Sequence, residues 1–171
     1  NKLGDDILVG MNEKQVIIGI TGTNGAGKGT VVEYLKTKGF RHYWVTGLIT
    51  EEIIKRNMPV NRDSMILVGN EVRAERGAAY FVEELLKRAK VEGANSIIES
   101  IRTVGEAEVI KNNGGKLLAV DADQKTRYKR NVKRAGNKDD VTFEEFCEQE
   151  RQEMNSEDPN KQNLAACRKM A

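Results

Sequence analysis

Little in this chain supports chemistry built on sulfur or imidazole. Its 171 residues include two cysteines and one histidine. Cys147 and Cys167 have neither metal-ligand spacing nor a secretory context, so they read as reduced thiols packed as small apolar groups in a cytosolic protein. His42 has no Ser, Cys or Asp arrangement beside it that makes a triad, and it reads as a strand or loop residue. No apolar run approaches the roughly 18 residues of a membrane span, and no signal peptide is visible, so no membrane partner is expected. An excess of one charge is also missing. The 28 Lys and Arg against 26 Asp and Glu leave a net charge of +2, too mild to demand a nucleic-acid partner. Repeats and low-complexity segments are absent as well. A composition of 39% hydrophobic and 32% charged residues fits one surface-rich α/β domain.

What the chain does have is glycine, concentrated in one place. Gly22-Thr23-Asn24-Gly25-Ala26-Gly27-Lys28-Gly29-Thr30 brackets a lysine with four glycines and adds a hydroxyl residue. Gln15 to Thr21 ahead of it reads as a buried β-branched strand, and Val31 to Lys36 behind it as a helix stopping near Gly39. Glycines let successive backbone N–H groups turn toward one point and leave room for a polyphosphate. The helix N-terminus adds about half a positive charge there. Strand, loop and helix together make a phosphate-binding loop, with Lys28 placed for the β- and γ-phosphates and Thr30 for Mg²⁺.

The rest of the chain alternates strands and helices, which implies a parallel sheet with helices on both faces. Residues 1–14 show no periodicity and are set aside as an N-terminal extension; residues 15–171 form the domain. Phe40 to Val45 reads as the second strand, and Thr46 to Asn57 as a helix ended by Asn57 and Pro59. A helix over 63–75 and an amphipathic helix over 78–92 follow, the latter with Phe81, Leu85, Leu86 and Ala89 on one face. Asn95 to Ser100 is the third strand and Lys116 to Asp121 the fourth. Thr103 with Glu106, and Thr142 with Glu145, are capping boxes that open helices. Asp123 caps the basic helix between them, and Asp158-Pro159 is expected to open the last helix.

The loop Gly-x-x-Gly-x-Gly-Lys-Gly-Thr resembles that of the adenylate kinase superfamily of nucleoside monophosphate kinases. The resemblance runs from about Val16 to the end of the chain and is closest to small proteins described as adenylate-kinase-related or dephospho-CoA-kinase-like. It implies a P-loop three-layer α/β/α fold, a helical acceptor-binding region over 46–92, a short lid over 127–151, and a final strand and helix that are absent after Ala171. It also implies roles. Residues Gly22 to Thr30 bind ATP. Glu99, ending the third strand, joins Thr30 at Mg²⁺, and Arg102 three residues on meets a phosphate. Such relatives carry Asp-Gly-x-Arg where this chain has Glu99-Ser100-Ile101-Arg102. Gly47 follows Thr46 as in the family's acceptor site and is expected to bind the acceptor, but the arginine expected after it is missing; Arg73 and Arg76 stand nearby and are the candidates to meet the acceptor phosphate in its place.

Arg127, Arg130 and Arg134 lie at i, i+3 and i+7 on one helix face. Arginine forks bind phosphate oxygens bidentately. The resemblance places Arg130 and Arg134 in the lid over the transferring group, together with Lys28 and Arg102. Lys138 stands where the lid pattern has an arginine. Asn137-Lys138-Asp139-Asp140 also spells a guanine-reading motif, but it follows a basic helix rather than an apolar strand, and no Asp-x-x-Gly switch accompanies it. RNA binding is disfavoured because the basic helix interleaves no aromatic residue except Tyr128. The expected activity is ATP-dependent phosphoryl transfer to a nucleoside or deoxynucleoside monophosphate. The alternatives are a dephospho-CoA-kinase-like enzyme with another acceptor, or a weakly catalytic nucleotide-binding sensor or regulatory module.

Overall fold

The computed structural model describes residues 15–135 and 141–171. Four strands, β1 (Ile17–Thr21), β2 (Arg41–Trp44), β3 (Ser96–Ile101) and β4 (Lys116–Ala119), form one parallel sheet in the order β2-β3-β1-β4. Among the described residues eight helices accompany them: α1 (Lys28–Thr37), α2 (Val45–Lys55), α3 (Arg62–Arg76), α4 (Tyr80–Glu92), α5 (Val104–Asn112), α6 (Gln124–Ala135), α7 (Phe143–Met154) and α8 (Leu164–Met170). The expected three-layer α/β/α architecture is present. β1 is central, so the loop after it opens at the middle of the sheet's C-terminal edge, where open α/β sheets bind ligands.

Side chains alternate across the strands, which splits the core in two. Ile18 and Ile20 of β1 and Ile97 of β3 pack with Val31, Val32 and Leu35 of α1. Ile17, Ile98, Ile101 and Leu117 face the larger layer, where α2 contributes Val45, Ile49 and Ile53, α3 Val68 and Val72, and α4 Phe81, Leu85 and Leu86. Each fully buried residue of this kind contributes roughly 1.5–3 kcal/mol. The apolar face read in α4 is the buried one, Ala89 included.

Both capping boxes form. Thr103 and Thr142 accept from the backbone N–H of Glu106 and Glu145, and each glutamate reaches back to its cap. Asn57 does end its helix, in the left-handed region at φ 54, while its N–H and that of Met58 bond the carbonyls of Ile54 and Ile53. The helix expected to open at Asp158-Pro159 does not. Residues 155–163 form an irregular segment, and α8 starts at Leu164 under an Asn163 cap. The backbone N–H of Asn163 bonds the Arg102 carbonyl at 2.8 Å, and its side-chain amide bonds Ser156 O at 3.0 Å. These long-range bonds hold the segment across the end of β3 and override the local proline signal. Among the described residues no strand follows β4, and α8 packs on β1, β4 and α5.

Candidate functional site

The glycine-rich loop runs from the end of β1 into α1 as the sequence predicts. Three of its glycines lie at positive φ, Gly27 among them at φ 105, and at two of them the neighbouring backbone also leaves no room for a side chain. Gly22 has φ 143, and a Cβ there would lie 2.1 Å from the Val120 carbonyl oxygen. Gly25 has φ 76, and its Cβ would meet the Arg127 carbonyl oxygen at 2.6 Å. So β4 and α6 close on the loop from behind. Thr23 is fully buried and donates its hydroxyl to Asp121 Oδ1 at 3.0 Å. Asp121 also receives Arg168 of α8 at 2.5 Å. This buttress joins the loop, the end of β4 and α8.

Lys28 donates to the carbonyls of Gly22 at 3.0 Å and Thr23 at 2.9 Å. Its ammonium is thus kept within the loop it belongs to. Burial lowers its pKa to about 8, and the positive charge of Arg102 pushes the same way. Thr30 lies exposed on the first turn of α1. Glu99 bonds His42 Nε2 at 2.9 Å, and that contact holds its carboxyl below the usual carboxylate range despite burial, with Lys28 and Arg102 assisting.

A cavity of about 210 Å³ opens between the loop and the α2–α3 pair. Its apolar wall is Val45, Ile49, Met65 and Ile66; its polar lining includes Asn24, Asn70, Ser100, Arg73, Arg102 and Glu153. Ser100 is the extra residue of a bulge in β3, because Ile20 pairs with Glu99 and Thr21 with Ile101. It sits at φ 71, in the left-handed region that non-glycine residues avoid. Arg102 donates to Glu153 at 3.0 Å and Gln162 at 2.7 Å.

The other residues singled out from sequence separate into groups. Arg73 reaches the cavity but is almost fully buried, with Nε and Nη2 on Glu106 Oε1 at 3.0 and 2.8 Å. Arg76 turns away from the cavity, over the ring of Tyr80 and bonded to its hydroxyl at 3.0 Å. Gly47 does not line the cavity either; the indole of Trp44 lies over it, where a Cβ would be 2.7 Å from Nε1. Arg130 donates to the carbonyls of Gly25 and Ala26, and Arg134 to Asn24 Oδ1. Both rest on the loop. Arg127 shares their spacing but not their surroundings, being buried and paired through both terminal nitrogens with Glu150 of α7. Residues 136–140 of the expected lid, Lys138 among them, lie outside the described residues, as does the 1–14 extension.

Sequence reasoning missed Asp121, Glu153 and the partnership of His42 with Glu99. Only Asp121 had a usable signal, an acid just past a strand end. Among the described residues no group of three His, Cys, Asp or Glu side chains gathers as a metal site. Mg²⁺ needs no such cage, since it is commonly held by one carboxylate, a hydroxyl, water and substrate phosphates. Thr30 and Glu99 fit that donor set: both are oxygen ligands, and Glu99 Oε1 makes no hydrogen bond among the described residues. No described helix is long and apolar enough to cross a membrane.

A parallel sheet with this loop after its central strand defines a P-loop domain of kinase-like fold, a class that implies binding of a nucleotide with a divalent metal. The profile of the family described as an AAA domain matches residues 18–156. The chain belongs to that family, and to the UPF0200 proteins within reach of it by sequence. It is 31% identical over 147 residues to a UPF0200 protein of Pyrococcus abyssi, covering 82% of this chain and 79% of that one. A UPF0200 protein of Methanothermobacter thermautotrophicus is 30% identical over 142 residues, covering 81% and 72%. Among solved structures, TT1252 of Thermus thermophilus superposes with a TM-score of 0.53 at 25% identity over 81% of this chain and 80% of that one. Shikimate kinase of Acinetobacter baumannii gives 0.52 at 17% identity over 92% and 89%, a likeness of fold. These comparisons carry the family and a fold shared with P-loop kinases.

Proposed function

We propose that the protein transfers the γ-phosphoryl group of ATP to a small acceptor held in the cavity between the loop and α2–α3. The carrying observation is that one cavity joins Asn24 of the phosphate loop to an apolar wall on α2 and α3, with Arg102 on its lining. Donor and acceptor then share a site, which is what phosphoryl transfer needs, since it depends on alignment and positive charge more than on covalent help. In this reading the loop amides and Lys28 hold the β- and γ-phosphates, Lys28 leaving the carbonyls of Gly22 and Thr23. Thr30 and, through water, Glu99 hold Mg²⁺, which neutralises phosphate charge. Arg102 meets the acceptor. Arg130 and Arg134 steady the loop and exclude water from it. The apolar wall suits a base, and the preferred acceptor is a nucleoside or deoxynucleoside monophosphate.

Glu153 favours a second reading. A carboxylate beside Arg102 repels an acceptor phosphate and suits an acceptor hydroxyl, as in a dephospho-CoA-kinase-like reaction. The shared fold with shikimate kinase is compatible with it. ADP release measured against a panel of monophosphates and of hydroxyl-bearing metabolites tests both. Turnover stimulated by a monophosphate supports the first and by a hydroxyl acceptor the second. Tight ATP binding with no stimulation by either class leaves only a nucleotide-binding module.

A further inference from the structure

The carboxylate at the end of β3 is held from the neighbouring strand. In the parallel register His42 faces Ile97 and Trp44 faces Glu99, so His42 and Glu99 lie on one face of the sheet, two residues out of step. The imidazole leans along the strand to put Nε2 2.9 Å from Glu99 Oε2, with both side chains mostly buried. The ring is itself fixed. The Trp44 indole stacks on it at 5.2 Å and 28°, and Gly47 gives that indole the space it occupies. The alternatives open to Glu99 are also present. Lys28 and Arg102 both attract its charge, so a carboxylate released from His42 is drawn toward them.

We propose that His42 is a positioning residue for Glu99. It occupies Oε2, keeps the carboxylate off Lys28 and Arg102, and leaves Oε1 for the water shell of the nucleotide-bound divalent ion. The inference rests on the phosphotransfer reading and adds a residue to it. The same second-layer logic operates where a carboxylate orients a ligating histidine, with the roles exchanged.

The test is calorimetric titration of the full chain with ADP, with and without Mg²⁺, needing no turnover. The gain in ADP affinity on adding Mg²⁺, read as the ratio of the two dissociation constants, is expected to fall roughly tenfold in His42→Ala; a loss of Mg²⁺-free affinity caused by Glu99 turning onto Lys28 is common to both titrations and divides out of that ratio. Glu99→Gln should lose the same gain, and the double variant should lose no more than Glu99→Gln alone, because one residue acts through the other. His42→Gln, which keeps a side-chain N–H for Oε2, should recover most of it. If His42→Ala does not fold, Gly47→Ala serves: its methyl displaces the indole from the imidazole, and the gain should fall. An undiminished gain in these variants, or additive losses in the double variant, overturns the proposal while leaving the phosphotransfer reading intact. A wild-type chain that binds no ADP in either condition defeats that reading, and this inference with it.

Discussion

Lys28 holds its proton weakly, and this gives the loop a pH signature. Burial and Arg102 bring its pKa to about 8. Nucleotide phosphates favour the charged form, so they raise that pKa again on binding. ADP affinity is therefore expected to fall as pH rises through about 8, and binding near pH 8.5 should take up a proton. Calorimetry in buffers of different ionisation enthalpy measures that uptake, and Lys28→Met should abolish it. Stability runs the other way. Between about pH 8 and 10.5 the unfolded chain holds the lysine proton that the folded chain has released. This group alone therefore makes the fold more stable as pH rises across that window. Ser100 carries a different kind of cost. At φ 71 its Cβ opposes the backbone, and the hydroxyl's hydrogen bond among the described residues is an exposed 3.2 Å contact from Thr46. Ser100→Gly should stabilise the fold by roughly 0.5–1 kcal/mol, a rise of a few degrees in Tm by calorimetry.

Helix α3 is tied to the end of β3 by charge as well as by packing. Arg73 bonds Glu106, whose second oxygen accepts the N–H groups of Arg102 and Thr103. Both side chains of the pair are nearly inaccessible. Removing either leaves the other buried and unpaired, so Arg73→Ala is expected to cost about 3–5 kcal/mol in denaturant unfolding. Thr103→Ala, which removes a cap and a bond to Ala78 O, should cost about 1 kcal/mol. What was legible in the sequence follows the reach of the interactions. The strand–loop–helix run, both capping boxes and the helix end at Asn57 depend on residues within a few positions, and the local sequence announces each. The buttress of Thr23 on Asp121 spans 98 residues and the His42–Glu99 contact 57, and no local pattern announces either. Arg127 and Arg130 looked alike because spacing records a face, not what covers it; Glu150 of α7 decides the difference. Arg73, read as an acceptor ligand, has its charge taken by Glu106, while Gly47 makes room for an indole and Arg76 lies on Tyr80. Pro159 misled for the same reason, its local signal outweighed by the bonds of Asn163 to Arg102 and Ser156.

The loop is held from several sides: β1 and α1 carry it, Asp121 past β4 buttresses it, and α6 rests two arginines on it. The cavity adds α2, α3 and α7. A ligand gripping the loop therefore stabilises the domain as one unit rather than a local segment. At a free concentration one hundredfold above Kd, ADP with Mg²⁺ should add about 2.7 kcal/mol, a rise of roughly 5–10 °C in Tm. Two variants divide that response. Lys28→Ala removes the ammonium that the phosphates must recruit, and should lose most of the ADP shift. Arg102→Ala should keep most of it but lose the further rise produced by a bound acceptor, because Arg102 faces the cavity and is held by Glu153 and Gln162 rather than by the loop. Thermal scans with ADP alone, acceptor alone and both together separate the two sites. An ADP shift unchanged in Lys28→Ala would contradict the assignment of the loop as the phosphate grip. Loss of both shifts in Arg102→Ala would instead mean that donor and acceptor compete for a single anion site, and that the cavity is an extension of the nucleotide pocket.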